Sequence, residues 1–260
     1  MGKLKFSYFC PLKFDWMFTL LKKELSSFLN SLLGYIVIAV FLLVNGLFLW
    51  VFPMELNILD FGYANIDGLF LIAPFVFLFL IPAITMRFFA EEKKTGTIEL
   101  LMTRPLTDLK VIFAKYLAAL LLVIISIIPT FLYFISVYQL GFPKGNLDVG
   151  GILGSYVGLL FLGASFVSIG LFASSITDNQ IISFILAVFL SGFAYMGFEF
   201  IYGLELFGKV DLFIQTLGIS VHYSSMSRGV IDTRDLIYFI SLISIFILLT
   251  KISLESRKWS

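Results

Sequence analysis

Glu91 and Glu92 are adjacent carboxylates, the minimum equipment for general acid/base chemistry. They sit in a charged run, Glu91-Glu92-Lys93-Lys94, with no apolar pocket around them by sequence and no nucleophile facing them. An acid/base site is therefore a poor reading. The one histidine, His222, cannot build a histidine cluster; beside Tyr223 it reads as a surface or interface residue rather than a metal ligand. The one cysteine, Cys10, excludes a disulfide within one chain and a zinc site of several cysteines. No Gly-x-x-x-x-Gly-Lys-Ser/Thr phosphate loop occurs, so the chain itself is not expected to bind or hydrolyse ATP.

The elements that position these residues are apolar. Of 260 residues, 60% are hydrophobic and 13% charged, and the mean hydropathy is +1.02. Soluble domains are about 25% charged, so a surface this apolar calls for lipid as the outer solvent. A net charge of +1 gives no basic field for nucleic acid. Residues 25–54, 68–86, 116–143, 149–177, 179–198 and 236–250 hold no Asp, Glu, Lys or Arg. Spanning a bilayer takes about 20 apolar residues. Six transmembrane helices are predicted, roughly 32–52, 68–86, 116–138, 151–174, 179–198 and 236–254. Helix is the expected form because lipid-exposed backbone must satisfy its own hydrogen bonds. The run Phe75-Val76-Phe77-Leu78-Phe79-Leu80 lacks the alternation of a barrel strand. The fold class expected is an all-α membrane protein. No charged residue is expected mid-membrane, which weakens an ion-driven mechanism.

With six spans, 14 of the 18 Lys and Arg residues fall on one side and four on the other. The positive-inside rule then places both termini in the cytoplasm, in a bacterial inner membrane. The first 25 residues lack a clean apolar stretch and a small-residue cleavage site. No cleaved signal peptide is expected, and the first span would direct insertion. Residues 14–28 mix aromatic and aliphatic residues with Lys and Ser and read as a helix lying in the interface. The alternative is a plain start to the first span. The domain organisation is an N-terminal segment 1–31, one six-helix domain 32–254 and a tail 255–260. Within the domain, loop 87–115 is cytoplasmic and segment 199–235 forms short helices on the outer face.

Loop 87–115 is the informative stretch. Gly96 breaks the charged run, Thr97 can cap a short helix, and Leu100 and Leu101 form a small apolar patch on it. Pro105 ends that helix, and Thr107 and Asp108 can cap the next, which re-enters the membrane near Lys115. The order Glu91-Glu92-Lys93-Lys94-Thr95-Gly96-Thr97-Ile98-Glu99-Leu100-Leu101, then Thr103-Arg104-Pro105, then Lys115, resembles the signature of ABC-2 type transporter permeases. In that family the loop forms a coupling helix that docks into a groove of a cytoplasmic ATPase subunit. The resemblance implies such a contact at residues 96–104, through Glu91, Glu92, Gly96, Thr97, Glu99, Leu100, Leu101, Arg104 and Pro105. It also implies that the chain holds no cofactor, ATP and Mg being bound by the partner, and that it pairs with a second transmembrane subunit.

Several further pieces resemble one subgroup, the gliding-motility-associated permeases of GldF type: Gly34-Tyr35-Ile36-Val37, Asn45-Gly46-Leu47-Phe48-Leu49-Trp50, Asn57-Ile58-Leu59-Asp60 and Ser227-Arg228-Gly229-Val230-Ile231-Asp232. Residues Met1 to Lys13 depart from the family's usual beginning. The function this implies is a permease subunit coupling ATP hydrolysis to export or to movement at the cell surface. A non-transporting membrane scaffold is the competing reading. A membrane-embedded enzyme would need a paired polar set that the spans, with Ser, Thr, Gly and Tyr, do not supply.

Gly150, Gly154 and Gly158 recur at four-residue spacing on one helix face, where backbones can approach closely. Packing within the chain is the preferred reading, and a subunit interface the other. Pro74, Pro82 and Pro129 lie in or at spans and are expected to bend them.

Overall fold

The computed structural model describes residues 15–60, 62–102, 107–205 and 208–256. Thirteen α-helices run in order among them: α1 Asp15–Leu29, α2 Leu32–Trp50, α3 Asp67–Thr85, α4 Ala90–Lys94, α5 Thr97–Met102, α6 Asp108–Ile127, α7 Phe131–Leu140, α8 Val149–Ile176, α9 Gln180–Gly192, α10 Phe198–Gly203, α11 Asp211–Gln215, α12 Ile219–Met226 and α13 Thr233–Glu255. No strand occurs among the described residues. Six helical stretches are long and apolar enough to cross a membrane by length and composition: Leu32–Trp50, Asp67–Lys94, Asp108–Leu140, Val149–Ile176, Gln180–Gly203 and Thr233–Glu255.

These six stretches fall where the charge-free tracts put the spans, except that the second runs on to Lys94 and the third opens at Asp108. The third helix begins at Asp108, where the Thr107-Asp108 pair predicts its cap, about two turns before the charge-free span opens at 116. Lys110 and Lys115 interrupt an apolar tract but do not stop a helix, because lysine is a good helix former. The tracts therefore locate hydrocarbon, not helix ends.

α8 is the centre of the bundle. Its 28 residues span about 42 Å, and α3, α6, α9, α12 and α13 pack around it. Apolar on all sides, it buries Leu159, Leu162, Phe166, Val167, Ile169 and Leu171 along with many small residues. Those small residues set how close its neighbours come. A β-carbon on Gly170 would lie against the Thr85 hydroxyl and 2.8 Å from the Thr85 Cβ; on Gly163 it would lie 2.9 Å from Val123. Gly154 approaches the Gly229 Cα, and Gly158 faces Met226 and Tyr223, so both pack within the chain, whereas Gly150 is exposed. The outward faces of α9 and α13 stay apolar and exposed, with Ile181, Ile185, Phe189, Ile237, Ile240 and Ile252, as suits lipid-facing helices.

The prolines act differently from one another. α3 runs through Pro74 and Pro82 as one helix. Pro74 has no N–H for the Phe70 carbonyl four residues back. That carbonyl is taken up by the Tyr223 hydroxyl of α12, 2.7 Å away. Pro129 marks a real change of geometry, a 3-10 turn Ile128–Thr130 between α6 and α7.

α1 is amphipathic: Leu20, Glu24 and Phe28 recur every four residues on its buried face, while Lys22 and Lys23 are exposed. That face lies against α6 and α2, while Phe18, Lys22 and Lys23 lie on the exposed side. In 199–235, three short helices, α10 to α12, form.

Gly170→Ala forces α3 and α8 apart at Thr85, and overpacking of this kind costs about 1–3 kcal/mol. Thermal unfolding of the solubilised protein is expected at a lower midpoint for this variant. Gly203→Ala, where nothing lies within 4 Å of the new carbon, is expected to unfold like the parent.

Candidate functional site

The second span does not end cleanly. α3 stops at Thr85, the chain turns through 86–89, and α4 starts at Ala90. Such a break strands backbone groups that a continuous helix would pair. Ser174, near the end of α8, serves three of them. Its hydroxyl oxygen accepts from the N–H of Phe89 at 3.0 Å and of Ala90 at 3.1 Å, and it donates to the Met86 carbonyl at 3.1 Å. The next residue continues the fastening: the Ser175 carbonyl accepts from the Lys93 ammonium and, at 2.9 Å, from the Ser253 hydroxyl of α13.

On the other side of the turn stands Lys115 of α6, only 1% exposed. An ammonium has three protons to place, and each finds an acceptor. Glu92 Oε1 lies at 2.8 Å, the Phe88 carbonyl at 2.9 Å and Glu24 Oε1 at 3.3 Å. The rings of Phe88 and Phe89 lie 5.5 and 5.3 Å from the ammonium, adding cation–π attraction. One cation thus ties α1, the 86–89 turn, α4 and α6 together. Two carboxylates against one ammonium leave the cluster formally anionic. Lys23 approaches Glu24 from the exposed side at 3.7 Å, and Glu92 Oε2 is buried without a hydrogen-bond partner.

This geometry sorts the residues singled out by sequence. Glu91 and Glu92 do not act as a pair: Glu91 bonds Arg87 at 3.1 Å in a half-exposed ion pair, and Glu92 points to Lys115. Gly96, at φ +70°, makes the left-handed turn from α4 into α5 that other residues adopt at a cost. Thr97 is the first residue of α5 rather than its cap; its hydroxyl contacts that of Thr95 at 2.9 Å. Ile98 is buried and anchors α5, while Glu99 is exposed. Leu100 and Leu101 lie on α5, and Arg104 and Pro105 lie outside the described residues. Gly150, Gly154 and Gly158 belong to the opposite end of the bundle. There Ser155 of α8 donates to the Ser227 carbonyl at 2.9 Å.

The turn between the second and third apolar helices is therefore bonded to α6 and α8, and through them linked to α1 and α13. Residues 18–254 match the family described as ABC-2 family transporter protein. The chain belongs to the ABC-2 transporter family. No curated protein matches it. Membership supports a multi-pass membrane permease subunit, and the family implies an ABC ATPase as partner. The ABC-2 chain also shows what the sequence reading missed. Glu24, Ser174 and Ser175 carry no motif of their own in the sequence, and Lys115 stands there as the last element of the signature and the start of a span, with no partner indicated. A carboxylate on the apolar stripe Leu20-Glu24-Phe28, and a lysine flanked by Ala114, Tyr116, Ala118 and Ala119, were the available signals.

Removing one member of a buried ion pair leaves the other charged and unpaired, at about 3–5 kcal/mol. Lys115→Met is expected to destabilise the solubilised permease on that scale, read as a fall in the thermal midpoint. The triple variant Lys115→Met, Glu24→Gln, Glu92→Gln, which removes all three charges together, is expected to recover part of it.

Proposed function

We propose that this permease subunit receives the movement of a separate cytoplasmic ATPase at residues 96–104 and passes it to its membrane helices. The observation that carries the reading is the buried Lys115 cluster. A push on α5 acts through Gly96 on α4, and α4 cannot move without Glu92. Glu92 engages α6 and α1 through Lys115, and the same turn engages α8 through Ser174. A lever so placed shifts helices as packed units rather than deforming one of them.

In this reading both termini and loop 87–115 are cytoplasmic, as the 14-to-4 distribution of basic residues favours. The membrane is the bacterial inner membrane. ATP and Mg are bound by the ATPase, and a second transmembrane subunit completes the assembly. The work done is export or movement at the cell surface, in gliding motility by resemblance of 34–37, 45–50, 57–60 and 227–232. A subunit that transmits force without moving cargo uses the same linkage; the filled core around α8 is the observation on its side.

The docking surface is tested by changing Leu100 and Leu101 to Asp. Co-purification of the ATPase subunit is expected to fall sharply while the permease itself is still recovered folded. Undiminished association contradicts the assignment.

A further inference from the structure

At the end of the bundle opposite the Lys115 cluster, one large apolar side chain stands clear of the fold. Phe142, in the short loop between α7 and α8, is 98% exposed, more than any other large apolar residue among those described. The loop that carries it is nonetheless built. α7 stops at Leu140 because Gly141 is extended, with φ −63° and ψ 144°. Asn146 then donates its N–H to the Pro143 carbonyl at 3.2 Å, and Gly145, at φ +83°, supplies the left-handed residue that the third position of such a turn requires. Gly145 rests on Tyr138 of α7, where a β-carbon would lie 3.2 Å from the phenol. The Leu147 N–H meets the Gly145 carbonyl at 2.9 Å, and Asp148 caps α8 by accepting from the Gly151 N–H at 3.0 Å. A turn fixed at both ends thus holds a phenylalanine outward, where the fold makes no use of it.

Its place along the chain says what covers it. On α7, Phe131, Ile135 and Tyr138 are exposed and share one helix face. Phe142 follows at the same spacing and continues that stripe past the helix end. The stripe belongs to a stretch apolar and long enough to cross a membrane, so lipid is its solvent. Depth agrees. Residues 116–143, between Lys115 and Lys144, hold no charge. A helix of that length rises about 42 Å, and a bilayer with its headgroups is about 40–45 Å across. Phe142, one residue from the end of the tract, therefore comes up in the far headgroup layer. Lys144 is exposed at the tip of the turn, and its strongly hydrated ammonium keeps the tip in the wet part of that layer. A protein partner would need about 800 Å² of this side. One ring on a turn whose other exposed residues include Lys144 and Asn146 offers far less.

We propose that Phe142 is a lipid anchor: its ring inserts into the phospholipid interface at this end and sets the level at which α8 enters the bilayer. Aromatic rings favour that layer, where an apolar body is covered without stripping polar groups of water. The level is passed on by stiff links, Gly145 against Tyr138 on one side and the Asp148 cap on the other. Because α3, α6, α9, α12 and α13 pack around α8, the anchor holds the level of the bundle as well as of the loop.

The test uses the full chain, without ATPase, in nanodiscs of phosphatidylethanolamine and phosphatidylglycerol. In a Cys10→Ser background, a nitroxide is placed in turn on Phe142→Cys, Leu140→Cys and Asn146→Cys. Its relaxation is measured with oxygen, which concentrates in lipid, and with a nickel chelate, which stays in water. The oxygen-to-nickel ratio at 142 is expected to match that at 140 and to exceed that at 146 several-fold. A ratio at 142 equal to that at 146 places the ring in water and overturns the proposal. Suppression of both relaxants at 142 means that protein covers it, a second copy of the chain included, and overturns it too. The anchoring role is read separately from a nitroxide on Val149→Cys, at the start of α8. Phe142→Asp is expected to raise nickel access there several-fold, and Phe142→Leu to leave it near the parent value. Unchanged access in Phe142→Asp contradicts the anchor.

Discussion

A buried ammonium has to be surrounded by acceptors. Leaving one unpaired in an apolar interior costs several kcal/mol, so the partners of Lys115 are held in place. Those partners come from three separate parts of the chain: Glu24 on α1, the Phe88 carbonyl at the end of the second span and Glu92 on α4. The requirement to satisfy one cation thereby fixes where a short amphipathic helix, a broken span and a charged turn sit relative to α6. The Phe88 and Phe89 rings close the site and keep the interaction out of water, where it would be far weaker.

The same rule, applied to backbone, explains the rest of the framework. At the break after the second span and at Pro74, a side chain from a distant helix supplies the missing partner. Ser174 pairs the groups freed at 86–90, and Tyr223 takes the carbonyl that Pro74 leaves open. Both repairs converge on α3, one at each end, and one of them comes from α8. The small residues of α8 let these neighbours approach closely enough for such bonds to form. A bundle fastened at both ends of one span, by different chemistry at each end, is suited to carrying displacement along that span.

Much of the fold was legible because lipid imposes a coarse rule. A charge-free tract near span length has few alternatives to helix, and the six tracts coincide with six apolar helical stretches. The loop motif at 91–105 was legible from order alone. The helix start at Asp108 was legible from the Thr107-Asp108 pair after Pro105 rather than from hydropathy, which tracks hydrocarbon and not hydrogen bonding. The site's interior was not legible: Lys115 meets Glu24 across 91 residues, and Ser174 meets Ala90 across 84. A serine in a small-residue helix looks like packing until the turn it serves is known. His222 read as a surface residue because its partner Asp235 lies 13 residues on, beyond a turn that local pattern does not reveal. Gly154 and Gly158 could be placed on one face by spacing, but not matched to 226–229.

The central claim is that movement passes from the 86–102 turn to the rest of the bundle through Lys115. The most direct measurement follows a thiol probe at the far end, on Ser224→Cys in a Cys10→Ser background, in the assembled complex with its ATPase. Probe reactivity is compared with and without bound ATP, in the otherwise unchanged chain and with Lys115→Met added. The account predicts a nucleotide-dependent change that disappears with Lys115→Met although the ATPase stays bound. An identical nucleotide response in both would contradict it.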